Sequence, residues 1–294
     1  MESFATTVIK ELPTLIHRES VGLNLCRENA EELLELQPDL DFIQVHPEHL
    51  MQEEGGVYRS QVDELMQLYP VMFHGFGLSL GSSAVLDRNY LDFVRRLLVE
   101  YPSSFFSDHV SWSSLSNHHF HDLIPLVMTD ETLEYMSERI GRVQDWLQAP
   151  ILIENISSYF RFKESTYSEV EFINQLTRNT GCFVLLDLNN LWANAMNFGE
   201  EAATLLNQFS HESVRAIHLA GCTLEQKKGG SVYIDYHKEA VHEPVWELYK
   251  QALQLCGPWP TLIEWENDVP PLKKTLEEVE RIRQSMSAYK QTKK

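Results

Sequence analysis

"VMFHGFGLSL", residues 71–80, starts as a short apolar run and ends among glycines, with a histidine between the two. Val71, Met72 and Phe73 suit a strand covered on both faces, and Gly75, Gly77 and Gly81 predict backbone turns that bulkier residues resist. His74 then stands where a strand runs out. Alone, such a histidine is more often a satisfied structural residue than a ligand, so its meaning depends on whether other strands end the same way.

Strand-like runs recur at 21–25 (VGLNL), 41–45 (DFIQV), 71–75 (VMFHG), 105–110 (FFSDHV), 151–155 (ILIEN), 183–188 (FVLLDL), 215–220 (RAIHLA) and 261–265 (TLIEW). Helical patterns alternate with them at 28–37, 61–69, 87–101, 129–148, 167–181, 200–209, 244–257 and 272–289. Eight βα units in a chain of 294 residues predict an α/β fold, a closed (β/α)8 TIM barrel with its helices outside. Helix punctuation agrees: Thr129 precedes Asp130 and Glu131 as a cap, Gly181 follows the fifth helix, and Gly257-Pro258 stops the seventh. No Ser/Gly/Pro-rich linker divides residues 1–294, which predicts a single domain, and the basic tail YKQTKK reads as a frayed, solvated end.

Composition narrows the function. With 43% hydrophobic residues the chain can bury a large core. Its 24 basic against 43 acidic side chains leave a formal charge of −19, which argues against nucleic-acid and anionic-membrane partners and leaves cations open. MESFATTVIKELPTLIHRES lacks the basic start and apolar core of a signal peptide, and no apolar run is long enough to span a bilayer, so a cytoplasmic location is expected. Cys26, Cys182, Cys222 and Cys256 form no CxxC pair and suggest neither a disulfide framework nor a thiolate zinc site.

Functional groups in a TIM barrel gather where strands end at the C-terminal rim. Those ends carry His74, Asp108-His109, Glu154-Asn155, Asp187 with Asn189-Asn190, His218, then Asp235-Tyr236-His237 in the following loop, and Glu264 with Glu266 beyond it. Any one of these could be structural: Glu264 or Asp187 could pair with an arginine, and His109 could cap a loop. Six consecutive strands ending in ligand-type groups is a different observation. Carboxylates and imidazoles crowded at one mouth repel or shift their pKa values unless cations neutralise them. Mixed imidazole and carboxylate donors suit iron, manganese or zinc better than magnesium or calcium. The donors exceed one ion's needs, so two or three ions are expected, with Glu154 bridging a pair.

The motifs FHGFGLSLGS, SDHVSW, DLIPLVMTDETL, ILIENISSY, TGCFVLLDLNNLWANAMNFG, AIHLAG and TLIEWENDVP, running from about residue 21 to about 275, resemble the multinuclear non-heme iron-dependent oxidative enzymes, a former domain family of unknown function. Its members act on cysteines in methanobactin and thiaglutamate biosynthesis. The resemblance implies metal ligands at His74, His109, Glu154, Asp187, Asn190, His218, Asp235, His237 and Glu264, with Glu154, Asp187 and His218 as candidate catalytic residues. It also implies two or three irons, Fe(II)/Fe(III), as cofactor. The implied partners are molecular oxygen, a cysteine-containing precursor peptide made on the ribosome, and a companion protein that binds the peptide's leader segment.

The chain departs from the family pattern at two places that bear on the substrate. After IHLAG many relatives carry another histidine where this chain has Cys222, which reads as a site thiol or, preferably, as a small apolar filler. After strand two relatives often show Glu-x-x-x-Glu-Asn, whereas this chain has QVHPEH, so His46 and His49 either line the mouth or are solvated. The cluster NHHFHD, with His118, His119 and His121, reads as a loop that serves packing or substrate contact rather than a second metal site. The rival to an oxygen-dependent iron enzyme is a divalent-metal barrel of the sugar isomerase or phosphodiesterase type, which needs no oxygen. A third reading, metal storage, predicts ions saturated by protein ligands.

Overall fold

The structure, a computed structural model, describes residues 15–52, 55–102, 105–115 and 118–293. Its strands are β1 (Val21–Asn24), β2 (Phe42–Val45), β3 (Val71–His74), β4 (Phe106–His109), β5 (Trp112–Leu115), β6 (His118–Ile124), β7 (Leu152–Glu154), β8 (Phe183–Asp187), β9 (Val214–Leu219), β10 (Thr223–Lys227), β11 (Gly230–Ile234) and β12 (Thr261–Ile263). β1, β2, β3, β4, β7, β8, β9 and β12 close a parallel barrel in chain order, β12 pairing with β1. These are the eight strands expected from the periodicity, displaced by no more than two residues at either end.

The helices are α1 (Ala30–Leu36), α2 (Pro47–Gln52), α3 (Val57–Leu68), α4 (Arg88–Glu100), α5 (Asp130–Leu147), α6 (Glu169–Thr180), α7 (Leu188–Phe198), α8 (Ala202–Gln208), α9 (Glu243–Cys256) and α10 (Leu272–Thr292). Thr129 caps α5 by accepting from the Thr132 amide, and Gly181 ends α6 at φ 69°. Two helices go beyond the expectation. α2 follows β2 directly, and α7 follows β8 because Asp187 ends the strand and caps the helix at once, its Oδ1 accepting from Asn190 N at 2.6 Å. α10 runs to Thr292, so the tail expected to fray continues the helix, with Lys294 outside the described residues.

Two antiparallel hairpins also depart from the expectation. β5 pairs with β6 after β4, and β10 with β11 after β9. The NHHFHD segment, expected as a loop, is therefore mostly strand, although Asn117 and the side chains of His119 and His121 lie outside what is described.

The barrel interior begins with an apolar layer. Phe42, Met72, Phe105, Leu152, Leu185, Ala216 and Leu262 come from seven successive strands or their immediate edges and pack with Ile16, all nearly inaccessible. Burying each large member contributes about 1.5–3 kcal/mol. The outer core, between strands and helices, is a second and larger apolar cluster. Among the described residues no helix is long and apolar enough to cross a membrane.

Gly81 lies in a turn as expected, whereas Gly75 and Gly77 serve another purpose. Gly75 and Gly77 have no left-handed backbone; they supply room. A Cβ on Gly75 would collide with the Tyr90 hydroxyl, and one on Gly77 would lie 2.7 Å from Glu48 Oε1. Glu48 Oε1 accepts there from the Phe76 amide at 2.9 Å and from the Tyr90 hydroxyl at 2.6 Å, tying the loop above β3 to α2 and α4.

Candidate metal centre

Strand side chains alternate faces with a period of two, so the residue two beyond each apolar layer member also points inward, one layer higher. From Phe42, Met72, Phe105, Leu152, Leu185, Ala216 and Leu262 that step reaches Gln44, His74, Ser107, Glu154, Asp187, His218 and Glu264. The candidate centre is thus the next layer of the barrel core, made polar. All seven are buried. His109, two residues above Ser107 and paired in register with Glu154, completes the wall.

Glu154 stands at the middle. His74 Nε2 lies 3.0 Å and His109 Nε2 3.2 Å from its Oε2, while His218 Nδ1 lies 3.2 Å from its Oε1. Glu264 Oε2 is 3.1 Å from the same His218 nitrogen. Despite these approaches, Glu154 Oε2 and His218 Nδ1 have no partner in hydrogen-bond geometry. Donor atoms of His74, His109 and Glu154 fall within 4.8 Å of one another, as do those of Glu154, Asp187, His218 and Glu264. Two groups sharing one carboxylate, each oxygen facing its own imidazoles, have the form of a bridged pair of cation sites.

The protons on these rings are assigned by their far sides. Gln44 Nε2 donates to Glu264 Oε1 at 3.0 Å, so Gln44 Oε1 is the atom facing His218 and accepts from its Nε2–H at 2.8 Å. His218 Nδ1 then faces two carboxylates, with a proton on it when the ring is charged and a lone pair when the ring is neutral. His74 Nδ1 pairs with Ser107 Oγ at 2.8 Å, and with the Ser107 hydroxyl turned to the Phe73 carbonyl at 3.4 Å the ring donates there and turns its Nε2 lone pair toward Glu154. Lone pairs meeting carboxylate oxygens require a cation between them, either protons or metal. A ring whose outer N–H is held by a fixed acceptor is the arrangement that metal-ligating histidines adopt.

Asp187, Asn190, Asp235 and His237 form the adjoining side. Asn155 holds the Asp187 backbone at both ends, accepting from its N–H at 3.0 Å and donating to its carbonyl at 2.9 Å. With Oδ1 used in the α7 cap, Asp187 Oδ2 is buried and unpartnered, and so is Asn190 Oδ1. Asp235 Oδ1 lies 2.6 Å from His237 Nε2 and accepts from Asn189 Nδ2 at 2.8 Å. These orphaned oxygens fit an oxygen-seeking cation.

Protonation follows from burial and crowding. Burial holds the His74 imidazole down to about 4. Burial opposes charge on His218, but Glu264 and Glu154 outweigh it and raise its pKa well above the usual imidazole value. Burial likewise opposes charge on Glu154, but His218, His74 and His109 hold its carboxyl well below the usual range. Asp187 moves the opposite way: burial, then the charges of Glu154 and Asp235, push it well above. Four acids and three imidazoles so close cannot all take their ordinary charge states.

Several site residues escaped the sequence. Gln44 and Ser107 carry no ligand signal, yet they orient His218 and His74. His46, left between mouth and solvent, is buried and lines the cavity, its Nδ1 donating to the His74 carbonyl at 2.8 Å. Cys222 is wholly buried in the outer core, its thiol pushed by burial up to about 12, and it joins no donor group among the described residues. The preferred filler reading fits that placement. Phe120, Asp122 and Leu123 of the β5–β6 hairpin, with Phe76 and Tyr159, roof a cavity of about 380 Å³ over His74, His109, Glu154 and Glu264. A larger groove of about 830 Å³ between Met51, Phe93 and Arg96 lies on the outer surface, away from this cluster.

Fold and site together define a TIM barrel whose mouth gathers histidines and carboxylates into groups of the kind that could hold a metal ion. The chain matches the RiPP precursor modification enzyme MbnB/TglH/ChrH family over residues 20–287, and it belongs to that family, whose members modify ribosomally made peptide precursors. A UPF0276 protein of Vibrio vulnificus strain CMCP6 is 37% identical over 261 residues, covering 89% of each chain. One from Rhizobium meliloti strain 1021 is 40% identical over 230 residues, covering 78% of this chain and 74% of its own. Among solved structures, a xylose isomerase-like TIM barrel protein from Mycobacterium smegmatis in complex with magnesium has a TM-score of 0.56 at 12% identity, covering 89% of this chain and 88% of its own. Endonuclease IV from Thermus thermophilus reaches 0.53 at 15% identity over 93% and 99%. These structural likenesses establish the barrel alone.

Proposed function

We propose that this chain is an oxygen-dependent, multinuclear non-heme iron enzyme that modifies cysteine residues of a ribosomally synthesised peptide. The observation carrying the metal half is Glu154, whose two oxygens face ring nitrogens of separate imidazoles turned inward. Family membership supports the peptide. His74, His109 and Glu154 would hold one ion; Glu154, Asp187, His218 and Glu264 a second; and Asp235, His237 and Asn190 a third where one binds. Bound iron supplies one-electron redox chemistry toward oxygen and a soft-tolerant partner for a substrate thiolate.

The chain's own groups do the rest. Gln44 and Ser107 keep the ring protons of His218 and His74 outward, so the inward nitrogens stay available. Phe76, Phe120, Leu123 and Tyr159 roof the cavity and limit water around a bound side chain. A space of about 380 Å³ suits one or two residues of an extended peptide rather than a folded partner. A companion protein that presents the precursor's leader segment belongs to the same proposal.

The test is elemental analysis and Mössbauer spectroscopy of anaerobically purified protein, before and after adding oxygen and a cysteine-containing precursor encoded nearby. At least two irons per chain and oxygen-dependent modification are expected. A single tightly held zinc in active enzyme, or turnover without oxygen, would overturn the reading in favour of a divalent-metal isomerase or hydrolase.

A further inference from the structure

Outside the inner cluster, another set of donor atoms converges at the rim of the mouth. One ring nitrogen of His46 and a carboxylate oxygen from each of Glu264 and Glu266 lie within 4.8 Å of one another. The proton on His46 is settled by its neighbour: the His74 carbonyl can only accept, so Nδ1 carries the hydrogen at 2.8 Å and Nε2 keeps a lone pair. A carbonyl behind the ring is one of the supports that metal-ligating histidines use. A further group faces the same space. His237 Nδ1 stands 3.5 Å from Glu264 Oε2 and 3.7 Å from Glu266 Oε2, and this nitrogen is buried without a hydrogen-bond partner. Glu266 is held there by its own backbone, whose N–H donates to the His237 carbonyl at 2.9 Å, and His237 adopts the left-handed φ of 47° that turns this loop.

We propose that His46, Glu264 and Glu266 form an additional divalent-cation site at the rim, distinct from the pair bridged by Glu154 and from the Asp235–His237 side. The proposal rests on the reading that the inner cluster holds metal. Mixed imidazole and carboxylate donors select an ion of the manganese, iron or zinc kind over magnesium or calcium. The rim ion binds more weakly than the inner pair for two reasons. Glu266 is half exposed, so its attraction is screened by water, and Glu264 is shared with the inner group, its Oε2 lying 3.1 Å from His218 Nδ1. Both His46 and Glu266 line the cavity, so an ion held there stands at its opening with a face toward incoming substrate, suited to a carboxylate or thiolate.

Chelator-stripped protein is titrated anaerobically with Mn(II), with free ion followed by electron paramagnetic resonance and bound ion by elemental analysis. Wild type is expected to show a tight class and one weaker ion. Glu266→Gln should weaken only the weaker ion, by tenfold or more, and keep the tight class; His46→Asn should do the same, its amide still able to donate toward the His74 carbonyl. Thermal melts of the stripped variants confirm folding. Binding curves of both variants that superimpose on wild type, or a wild type with the tight class alone, overturn the rim site and leave the inner cluster standing. A wild type that binds no Mn(II) tightly overturns the metal reading of the inner cluster and the rim site with it.

Discussion

His218 donates its Nε2–H to Oε1 of Gln44 at 2.8 Å, so a neutral side chain on β2 decides which nitrogen of a histidine on β9 faces the carboxylates. Gln44→Leu removes that acceptor and also the donor to Glu264 Oε1. Loss of such an outer partner costs roughly 10–100-fold in metal affinity. The expected outcome is that fall in a competitive chelator titration, with the melting temperature of metal-free protein changed little. An unchanged affinity would remove Gln44 from the site's support.

Glu154→Gln keeps the shape of the bridging side chain and removes its charge. The metal content of purified protein should fall by at least one ion per chain, and peptide modification with it. The barrel should persist, because the apolar layer below Glu154 is separate from it. Far-ultraviolet circular dichroism and elemental analysis read the two effects. Full metal and full turnover in this variant would refute the assignment.

Asp187 predicts a pH dependence with a definite sign. Its folded pKa is raised, so the stability linked to its protonation is present below the ordinary carboxyl pKa and is lost as pH rises through the raised value. Asp187→Asn should therefore stabilise metal-free protein at neutral and alkaline pH, by about 1–3 kcal/mol. The gain should vanish in acid, where Asp187 is itself neutral. Asparagine also caps helices, so α7 should survive. In metal-loaded protein the order should reverse, since the variant loses a carboxylate ligand. Urea unfolding across pH, with and without metal, checks both signs.

Cys222→Ala should leave metal content unchanged and cost about 1–2 kcal/mol, as expected for shortening a small side chain in a packed interior. Loss of an ion on this substitution would make Cys222 a ligand and overturn its role as filler.

The barrel strands were legible because their signal is local: short apolar runs spaced by amphipathic helices need no knowledge of contacts. His74, His109, Glu154, Asp187, His218 and Glu264 were legible for the same reason, as charged or ligand-type groups at the ends of such runs. What local pattern missed has specific causes. α7 was missed because Asp187 serves as strand end, helix cap and candidate ligand together, and its asparagine-rich first turn resembles a loop. The two hairpins are short, and the charges and glycines of β10–β11 mask their alternation.

By itself, then, the sequence determined the strand order of the barrel and the chemical kinds of group that meet at its mouth, since both follow from periodicity and residue type. Only the tertiary structure decided how those groups face one another. Closure of the ring sets β2 against β9 across the interior, which places Gln44 behind His218, and it turns the two oxygens of Glu154 toward different imidazoles. It also brings His46 from the β2 end to Glu264 and Glu266 beyond β12, and it uses Gly75 and Gly77 as room for Tyr90 and Glu48 rather than as turns. The physical reason is that a proton's position, a lone pair's direction and the space left for a Cβ depend on partners far away in the chain, which come within reach only when the barrel closes.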